Sequence, residues 1–587
     1  MIAGWSRARF RATAVSVCLL AALASTWPLG LHLASTVPLG TETAATIPLF
    51  DIWTLWWSGA RVWHGYTGFW DAPIFHPTPG AFAFSEPMPL PGLLAAPFFA
   101  LGAPPALAHN VVLLATLTVN GMFGCRLARG MGVGRLPALL AGVLVVTLPF
   151  FAKLQGELPI LSVAGTLAAL DGGVRFGRDG RPSHAAAVAA GLVAQALSCQ
   201  QLALYGVLLV GAACVVAGKQ QRSSPAALAR LAGAMALSAI AIYLFLRTPL
   251  AVHRQLGFAR DEELVRSLSA TPGDFPTRPW HALIPFPARE DPTTFTGGLF
   301  PGLGLMSLAV LGALGARGRG AETRAMSAAW HRFALGAVVG TALLALGLNV
   351  SVWGVRPFAL LRALPGFDEI RSAFRAAVFG QLALVCVAAS GLDTLTRGLS
   401  NRAWGQRLVL AAGLLAAAEN LSLPAPLLEV PRTARTAWTA FVAAQPTGTV
   451  VVHVPFPAGR DVTDFSAEAW RMFRQIDHRQ PLVNGYASNF PSTYREFMFA
   501  MGEAFPKPIL ACALRSVFGA DLLIVDQDWL VAHHGAFGLA GPPAAAPETP
   551  DLAPLLSLAY ADADVAIFRL APPPGACPAL RLDVGAR

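Results

Sequence analysis

Long apolar runs separated by short polar connections fill the first two-thirds of the chain. Runs of spanning or near-spanning length lie at about 12–34, 105–125, 135–151, 157–173, 184–200, 202–218, 228–248, 299–316, 330–349, 374–396 and 407–425. Because a helix of about 20 apolar residues crosses the hydrocarbon core, the pattern predicts about eleven transmembrane helices. The polar break Ser198-Cys199-Gln200-Gln201 within 184–218 predicts the turn of a tight helical hairpin.

The pattern changes after about residue 426. Residues 449–454 and 521–526 are short runs rich in valine, leucine and isoleucine, which are typical of buried strands. Segments 465–475 and 503–517 instead have helical spacing. Residues 1–425 are therefore predicted to form a transmembrane domain, and residues 426–587 a small α/β domain.

Composition agrees with this division. The chain is 55% hydrophobic and 13% charged, whereas a soluble protein carries roughly 25% charged residues. The net charge of +10 comes from arginines in short loops and not from a basic cluster with interleaved aromatic residues. We therefore expect no nucleic-acid partner.

Loop arginines and lysines indicate the orientation. They concentrate in alternate loops, which the positive-inside rule places in the cytoplasm, provided that the proline-broken segment 88–103 lies in the membrane interface without crossing it. The chain is then a multi-pass protein of the bacterial inner membrane with a cytoplasmic N-terminus. Loops at about 35–104 and 249–298, and everything after about 426, face the periplasm. The residues are Arg7, Arg9, Arg11, Arg126, Arg129, Arg135, Arg175, Arg178, Arg181, Lys219, Arg222, Arg230, Arg317, Arg319, Arg324, Arg397, Arg402 and Arg407.

The first periplasmic loop places an acid among tryptophans. Asp51 is followed by Trp53 and Trp57, and aromatic and lipid surroundings raise the proton affinity of a carboxylate and exclude water, as a general base requires. The tryptophans would then contact substrate. Alternatively, they form an interfacial aromatic belt and Asp51 caps a surface helix. Alternative or auxiliary candidates in this loop are Asp71, as a second catalytic acid, and His76 and Glu86.

Two groups of arginines are candidates for binding phosphate. Arg371 and Arg375 are expected one helical turn apart at the periplasmic end of a late span, where arginine is disfavoured. They would bind phosphate or pair with the acids that precede them. In the second loop, Arg254 or Arg260 would grip an anionic head group, or belong to a solvated helix with internal charge pairs.

Polar residues at the junctions between spans would line a cavity or merely end helices. These are Gln155, Glu157 and Gln200. The cysteines show no metal-ligand spacing, so no metal and no cofactor are expected. Cys512 and Cys577 either pair or remain two thiols.

Several segments together resemble the C-type (GT-C) membrane glycosyltransferases, in a YfhO-type or uncharacterised bacterial branch. The resemblance covers nearly the whole chain. Its first part is Asp51 in a long first loop, an interfacial segment ending Phe99-Ala100-Leu101-Gly102, and a span closing on Arg126-Leu127-Ala128-Arg129. The other segments are Leu148-Pro149-Phe150, Gln155-Gly156-Glu157, Leu197-Ser198-Cys199-Gln200-Gln201, Leu299-Phe300-Pro301-Gly302 and Gln480-Pro481-Leu482-Val483-Asn484-Gly485-Tyr486.

The resemblance implies transfer of a sugar from a polyprenyl-phosphate carrier to a glycan, lipid or protein acceptor at the periplasmic face. Asp51 would act as the base, and Arg371 or Arg375 would stabilise the departing lipid phosphate. Many members carry a paired acidic motif in this loop, whereas here Ile52 and Trp53 follow Asp51. The alternatives are a flippase or transporter of lipid-linked sugars, and a non-catalytic envelope assembly protein.

Overall fold

The computed structural model describes residues 5–258, 260–315, 321–398, 402–537 and 552–572. Helices account for most of this part of the chain. Those before residue 420 are α1 Arg7–Ser25, α2 Thr46–Val62, α3 Pro89–Ala100, α4 Pro105–Gly130, α5 Arg135–Val146, α6 Pro149–Lys153, α7 Ala164–Asp179, α8 Pro182–Ser198, α9 Gln200–Gln220, α10 Pro225–Leu256, α11 Glu262–Ser267, α12 Leu303–Gly315, α13 Ala321–Ala345, α14 Pro357–Leu361, α15 Ala377–Gly398 and α16 Arg402–Glu419.

Shorter helices follow, together with most of the strands. The later helices are α17 Ala437–Ala443, α18 Ser466–His478, α19 Ser492–Ala504, α20 Pro508–Ser516 and α21 Gln527–His533. The strands are β1 Thr36–Pro38, β2 Thr277–Arg278, β3 Ala288–Arg289, β4 Leu427–Glu429, β5 Val451–Val454, β6 Leu522–Asp526, β7 Leu556–Ala561 and β8 Val565–Leu570.

The chain is a multi-pass membrane protein. Seven helical segments of the described residues are long and apolar enough to cross a bilayer. Helices α7 and α8 have only 16 and 17 residues, fewer than the usual span of about 20. The number of about eleven spans therefore stays a prediction. The seven are Arg7–Ser25, Pro105–Gly130, Arg135–Lys153, Gln200–Gln220, Pro225–Leu256, Ala328–Ala345 and Ala373–Thr396.

The predicted hairpin at 198–201 is confirmed. Helix α8 ends at Ser198, Cys199 is extended, and α9 begins at Gln200. The carboxylate of Glu86 accepts hydrogen bonds from the backbone N–H groups of Gln200 and Gln201, at 2.7 and 2.8 Å. The first turn of a helix has unpaired N–H donors, so this acid stabilises the start of α9.

The C-terminal part is built on a four-stranded sheet with the order β5-β6-β8-β7. Strands β5 and β6 are parallel, and the other two pairs are antiparallel. The predicted strands at 449–454 and 521–526 are confirmed as β5 and β6, and the predicted helix at 465–475 as α18. The predicted helix at 503–517 is shorter, because Pro506 separates α19 from α20. Cys577 lies outside the described residues.

The first loop and the C-terminal part share one aromatic core. Trp53 is fully buried, and its indole Nε1 donates a hydrogen bond to Gln475 Oε1 at 2.8 Å. The Gln475 amide donates in turn to the carbonyl of Pro73 at 2.5 Å. Strand β1 pairs antiparallel with β4 beside this core. The loop after α1 and the chain after residue 426 therefore fold against each other.

We expect Trp53→Ala to lower the free energy of unfolding by about 3–5 kcal/mol, because it removes a fully buried ring and leaves Gln475 Oε1 without its hydrogen-bond donor. Thermal unfolding of the detergent-solubilised protein measures the effect. Trp63, whose side chain is 64% exposed, is the matched control, and Trp63→Ala should change stability by less than about 0.5 kcal/mol. Equal effects of the two substitutions would contradict the assigned core.

Candidate functional site

We call the helices before residue 420 the membrane unit. Two cavities meet on the side of this unit that carries the C-terminal part. The larger has a volume of about 1590 Å³ and runs between the first loop, the second loop and helices α19 and α20. The smaller, of about 450 Å³, extends between α9 and α10 and has mostly apolar walls. We call their shared region the junction. It is lined by Ile47, Glu157, Arg260, Arg371, Arg375 and Ser488.

A buried ion pair lies at the junction. Arg375 Nη2 contacts Glu157 Oε2, and both side chains are buried. Arg375 Nη1 also donates to Gln201 Oε1 at 2.8 Å, which ties the pair to the start of α9. Glu157 Oε1 and Arg375 Nε have no hydrogen-bond partner among the described residues. Since buried polar atoms are normally satisfied, these two atoms are open to a hydrogen bond from water or from a polar ligand.

Two further arginines complete the cationic side of the junction. Arg260 donates to the backbone carbonyl of Ser488 at 2.8 Å, and burial lowers its pKa to about 10. Arg371 lies beside Tyr486. The expectation that Arg371 and Arg375 share one helical face is wrong, because Arg371 precedes a 3-10 helix at 373–376 and α15 begins only at Ala377. Both arginines nevertheless reach the same two cavities.

Asp51 lies on α2 and lines the smaller cavity. It is 3% exposed, and its Oδ2 accepts the backbone N–H of Leu158 at 2.8 Å. Burial raises the pKa of Asp51 well above its ordinary value despite this hydrogen bond, and the charges of Glu157 and Glu42 raise the pKa further. The carboxyl group therefore has a high proton affinity and one oxygen already bound to the backbone.

Glu42 is a further acid of this region, and sequence reasoning missed it. It lines the larger cavity, and burial together with the charge of Glu157 raises its pKa to about 8, against the lowering effect of Arg375. Its loop is fixed by the Thr41 N–H, which donates to the carbonyl of Lys153 at 2.8 Å. The loop also needs Gly40, whose φ is +62° and where a Cβ would lie 2.3 Å from that carbonyl oxygen.

Lys153 is a second group that the sequence did not single out. Its ammonium pairs with Glu290 at 2.5 Å, and both side chains are almost fully buried. Glu290 also lines the larger cavity, and Lys153 acts electrostatically on Glu42. The sequence could have indicated Lys153, because it lies at the end of an apolar run, where an unpaired cation is costly.

Two other predicted residues lie beside the junction. Glu86 and Gln200 line the smaller cavity, and burial raises the pKa of Glu86. The amide nitrogen of Gln200 has no hydrogen-bond partner among the described residues. Gln155 is buried and donates to the carbonyl of Ser25 at 2.9 Å, so its amide connects α1 to this region without lining either cavity.

The remaining predicted residues lie away from the junction. Trp53 belongs to the aromatic core, and Trp57 Nε1 donates to the carbonyl of Phe69 at 2.9 Å. Asp71 is exposed and accepts the Gly80 N–H at 3.0 Å. The His76 backbone N–H donates to the Leu482 carbonyl at 2.9 Å, and Arg254 is exposed near the end of α10. Within the described ranges no group of three or more potential metal ligands occurs.

Comparisons with known proteins identify the family and the fold. The family model described as "Domain of unknown function (DUF6311)" matches residues 53–415. The cryo-EM structure of the arabinofuranosyltransferase AftD from Mycobacteria superposes with a TM-score of 0.53 at 17% sequence identity. The alignment covers 96% of this chain but 40% of AftD, so the chain spans well under half the length of that protein. The fold is therefore the GT-C fold, as the sequence resemblance implies.

Two other solved structures align less well. One is the Archaeoglobus fulgidus oligosaccharyltransferase, with a TM-score of 0.46, 13% identity and coverage of 90% of this chain and 71% of that one. The other is ArnT from Cupriavidus metallidurans bound to undecaprenyl phosphate, with a TM-score of 0.37, 13% identity and coverage of 96% and 98%. A search of curated protein sequences gave no significant match.

We expect Arg375→Met to destabilise the protein by about 3–5 kcal/mol, because it leaves Glu157 buried without its cation. The double substitution Glu157→Gln with Arg375→Met should recover most of this loss, since no unpaired charge then remains. Thermal unfolding in detergent measures both, with Arg254→Met as the exposed control. A double variant less stable than Arg375→Met would show that the pair is not the source of the effect.

Proposed function

The chain belongs to the DUF6311 family, and from this membership and the GT-C fold we propose that it is an integral-membrane glycosyltransferase. It moves a sugar from a polyprenyl-phosphate carrier to an acceptor at the periplasmic face. The observation that carries the proposal is the meeting of an apolar cavity and a polar cavity at a cluster of arginines and carboxylates.

The smaller cavity fits the carrier lipid. Its walls between α9 and α10 include Leu204, Val207, Ile242 and Leu246, together with the exposed Tyr243 on α10. An isoprenoid chain entering between these helices would remain in apolar surroundings. Its phosphate would reach the guanidinium groups at the junction, which bind phosphate in a bidentate manner.

The larger cavity fits the acceptor. Its walls from the C-terminal part carry both signs of charge, with aromatic rings between them. A volume of about 1590 Å³ exceeds that of a pocket for one drug-sized ligand. The acceptor is a glycan, a lipid or a protein hydroxyl group. The charged residues are Arg460, Asp461, Arg495, Glu496, Glu503 and Lys507.

In the proposed reaction the acceptor oxygen forms a bond to the anomeric carbon while the bond from that carbon to the phosphate oxygen breaks. The acceptor proton passes to Glu42, which lines the acceptor cavity and has a proton affinity suited to neutral pH. The polyprenyl phosphate leaves as an anion stabilised by Arg371 and Arg375. Asp51, held by the Leu158 N–H, is the alternative base and otherwise positions the segment that carries Glu157.

The function is tested with the full-length protein in lipid nanodiscs and a panel of polyprenyl-phosphate-linked hexoses and pentoses. Mass spectrometry should detect released polyprenyl phosphate and glycosylated acceptor. We expect Arg371→Ala to lower the rate by about 10²–10³-fold, because it removes a charge that stabilises the leaving phosphate. Arg254→Ala is the exposed control. Movement of the carrier across sealed vesicles without release of polyprenyl phosphate would identify a flippase.

Glu42→Gln and Asp51→Asn separate the two candidate bases. A base must be ionised to accept a proton, and the pKa of Glu42 is raised to about 8, so the rate of the unmodified enzyme should rise with pH through about 8. Glu42→Gln should lower kcat by about 10²–10⁴-fold and abolish this rise. Asp51→Asn should keep the pH dependence, since asparagine also accepts the Leu158 N–H. Loss of the rise in the Asp51→Asn variant alone would make Asp51 the base.

A further inference from the structure

The connection between α13 and α15 carries an unusually exposed apolar tip. Two hydrogen bonds between Val352 and Val355, at 2.8 and 3.0 Å, close a tight turn around Trp353, which is 99% exposed. Its φ of +50° lies in the left-handed region that a non-glycine residue seldom adopts. Leu360 and Leu364, on and just after α14, are also exposed. Exposed apolar clusters of this kind mark interaction surfaces.

The base of this connection is fixed, so the tip is presented by a rigid support. The Asn349 amide donates to the carbonyls of Ser269 and Ala270 at 2.9 and 3.2 Å. Phe358 of α14 is buried in the core of the membrane unit. Arg362 donates to the carbonyl of Arg260 at 2.8 Å. The exposed tip therefore belongs to a segment that is fixed to the rest of the protein.

The charge and the aromatic residue of the segment indicate what kind of partner it binds. Residues 350–366 contain two arginines and no acidic residue. Arg362 pairs with Glu262 at 3.6 Å, so Arg356 is the arginine that would meet a head group. The candidate spans Ala328–Ala345 and Ala373–Thr396 flank the segment, which places its ends near one surface of the bilayer. Tryptophan favours the membrane interface, and arginines next to apolar side chains are attracted to anionic head groups.

We propose that the tip formed by residues 352–364 inserts into the head-group region of the bilayer that the protein crosses, with anionic lipid as its partner. Trp353, Leu360 and Leu364 enter the apolar side of the interface, and Arg356 meets lipid phosphate. Among the residues immediately after the tip, Pro365, Gly366, Glu369, Ile370 and Arg371 line the smaller cavity. The inserted tip thus holds one wall of that cavity at the depth of the lipid head groups. The insertion itself does not depend on the proposed sugar transfer.

The test places an environment-sensitive fluorophore at position 353 by Trp353→Cys in the full-length protein. Val531→Cys on α21 is the matched control, since Val531 is apolar and 65% exposed but belongs to the C-terminal part. Both proteins are reconstituted in nanodiscs of phosphatidylcholine and phosphatidylglycerol, with and without lipids carrying a doxyl quencher near the head group. The unsubstituted protein, treated with the same reagent, supplies the background from its own cysteines.

We expect the doxyl lipids to quench most of the emission from the label at 353 and to leave the label at 531 unchanged. Adding Arg356→Ala to the protein labelled at 353 should reduce the quenching. The reduction should be larger in nanodiscs that contain phosphatidylglycerol than in nanodiscs of phosphatidylcholine alone. A label at 353 that is as open to aqueous quenchers as the label at 531 would overturn the proposal. A label that is shielded from water but not quenched by doxyl lipids would also overturn it and would point to contact with a protein. None of these readouts requires sugar transfer, so they stand apart from the function assay.

Discussion

The ion pair between Glu157 and Arg375 is the constraint around which the site is built. Removing two charges from water costs several kcal/mol per ion, and close contact with further hydrogen bonds offsets that cost. The pair joins the segment after α6 to the approach to α15, and Gln201 adds the start of α9. Three parts of the chain that are distant in sequence are thereby held at the point where the two cavities meet.

Acids gather around this pair in a way that sets their proton affinities. Asp51 is buried and Glu42 is half-buried, and both lie close enough to Glu157 for its charge to raise their pKa values. The arginines and Lys153 lower the pKa of Glu42 again. Such opposed effects keep the pKa of a carboxyl group close to neutral pH, as proton transfer requires. Bringing an anionic phosphate to the arginines would weaken their influence on these acids.

The sequence singled out polar residues at and beside the junction, but not all of their neighbours. Asp51, Glu157 and Arg375 drew attention because charges are costly at membrane depth. Trp53 and Trp57 were candidates because they follow Asp51 in sequence. They pack in a core that long-range contacts create. Glu42 carried no pattern, since its burial depends on the docking of its loop against Lys153. Spacing predicted β5 and β6, whereas the antiparallel pairs of β7 and β8 arise from contacts that local periodicity does not specify.

The pairing of β1 with β4 has a consequence for how the protein is divided. These strands lie on opposite sides of the predicted boundary at residue 425, and within the described residues each is the only ladder partner of the other. A fragment beginning at residue 426 would carry β4 without β1 and would expose to water the aromatic residues that pack on the first loop. Such a fragment would tend to aggregate, so biochemical dissection of this protein is better done by point substitution than by truncation.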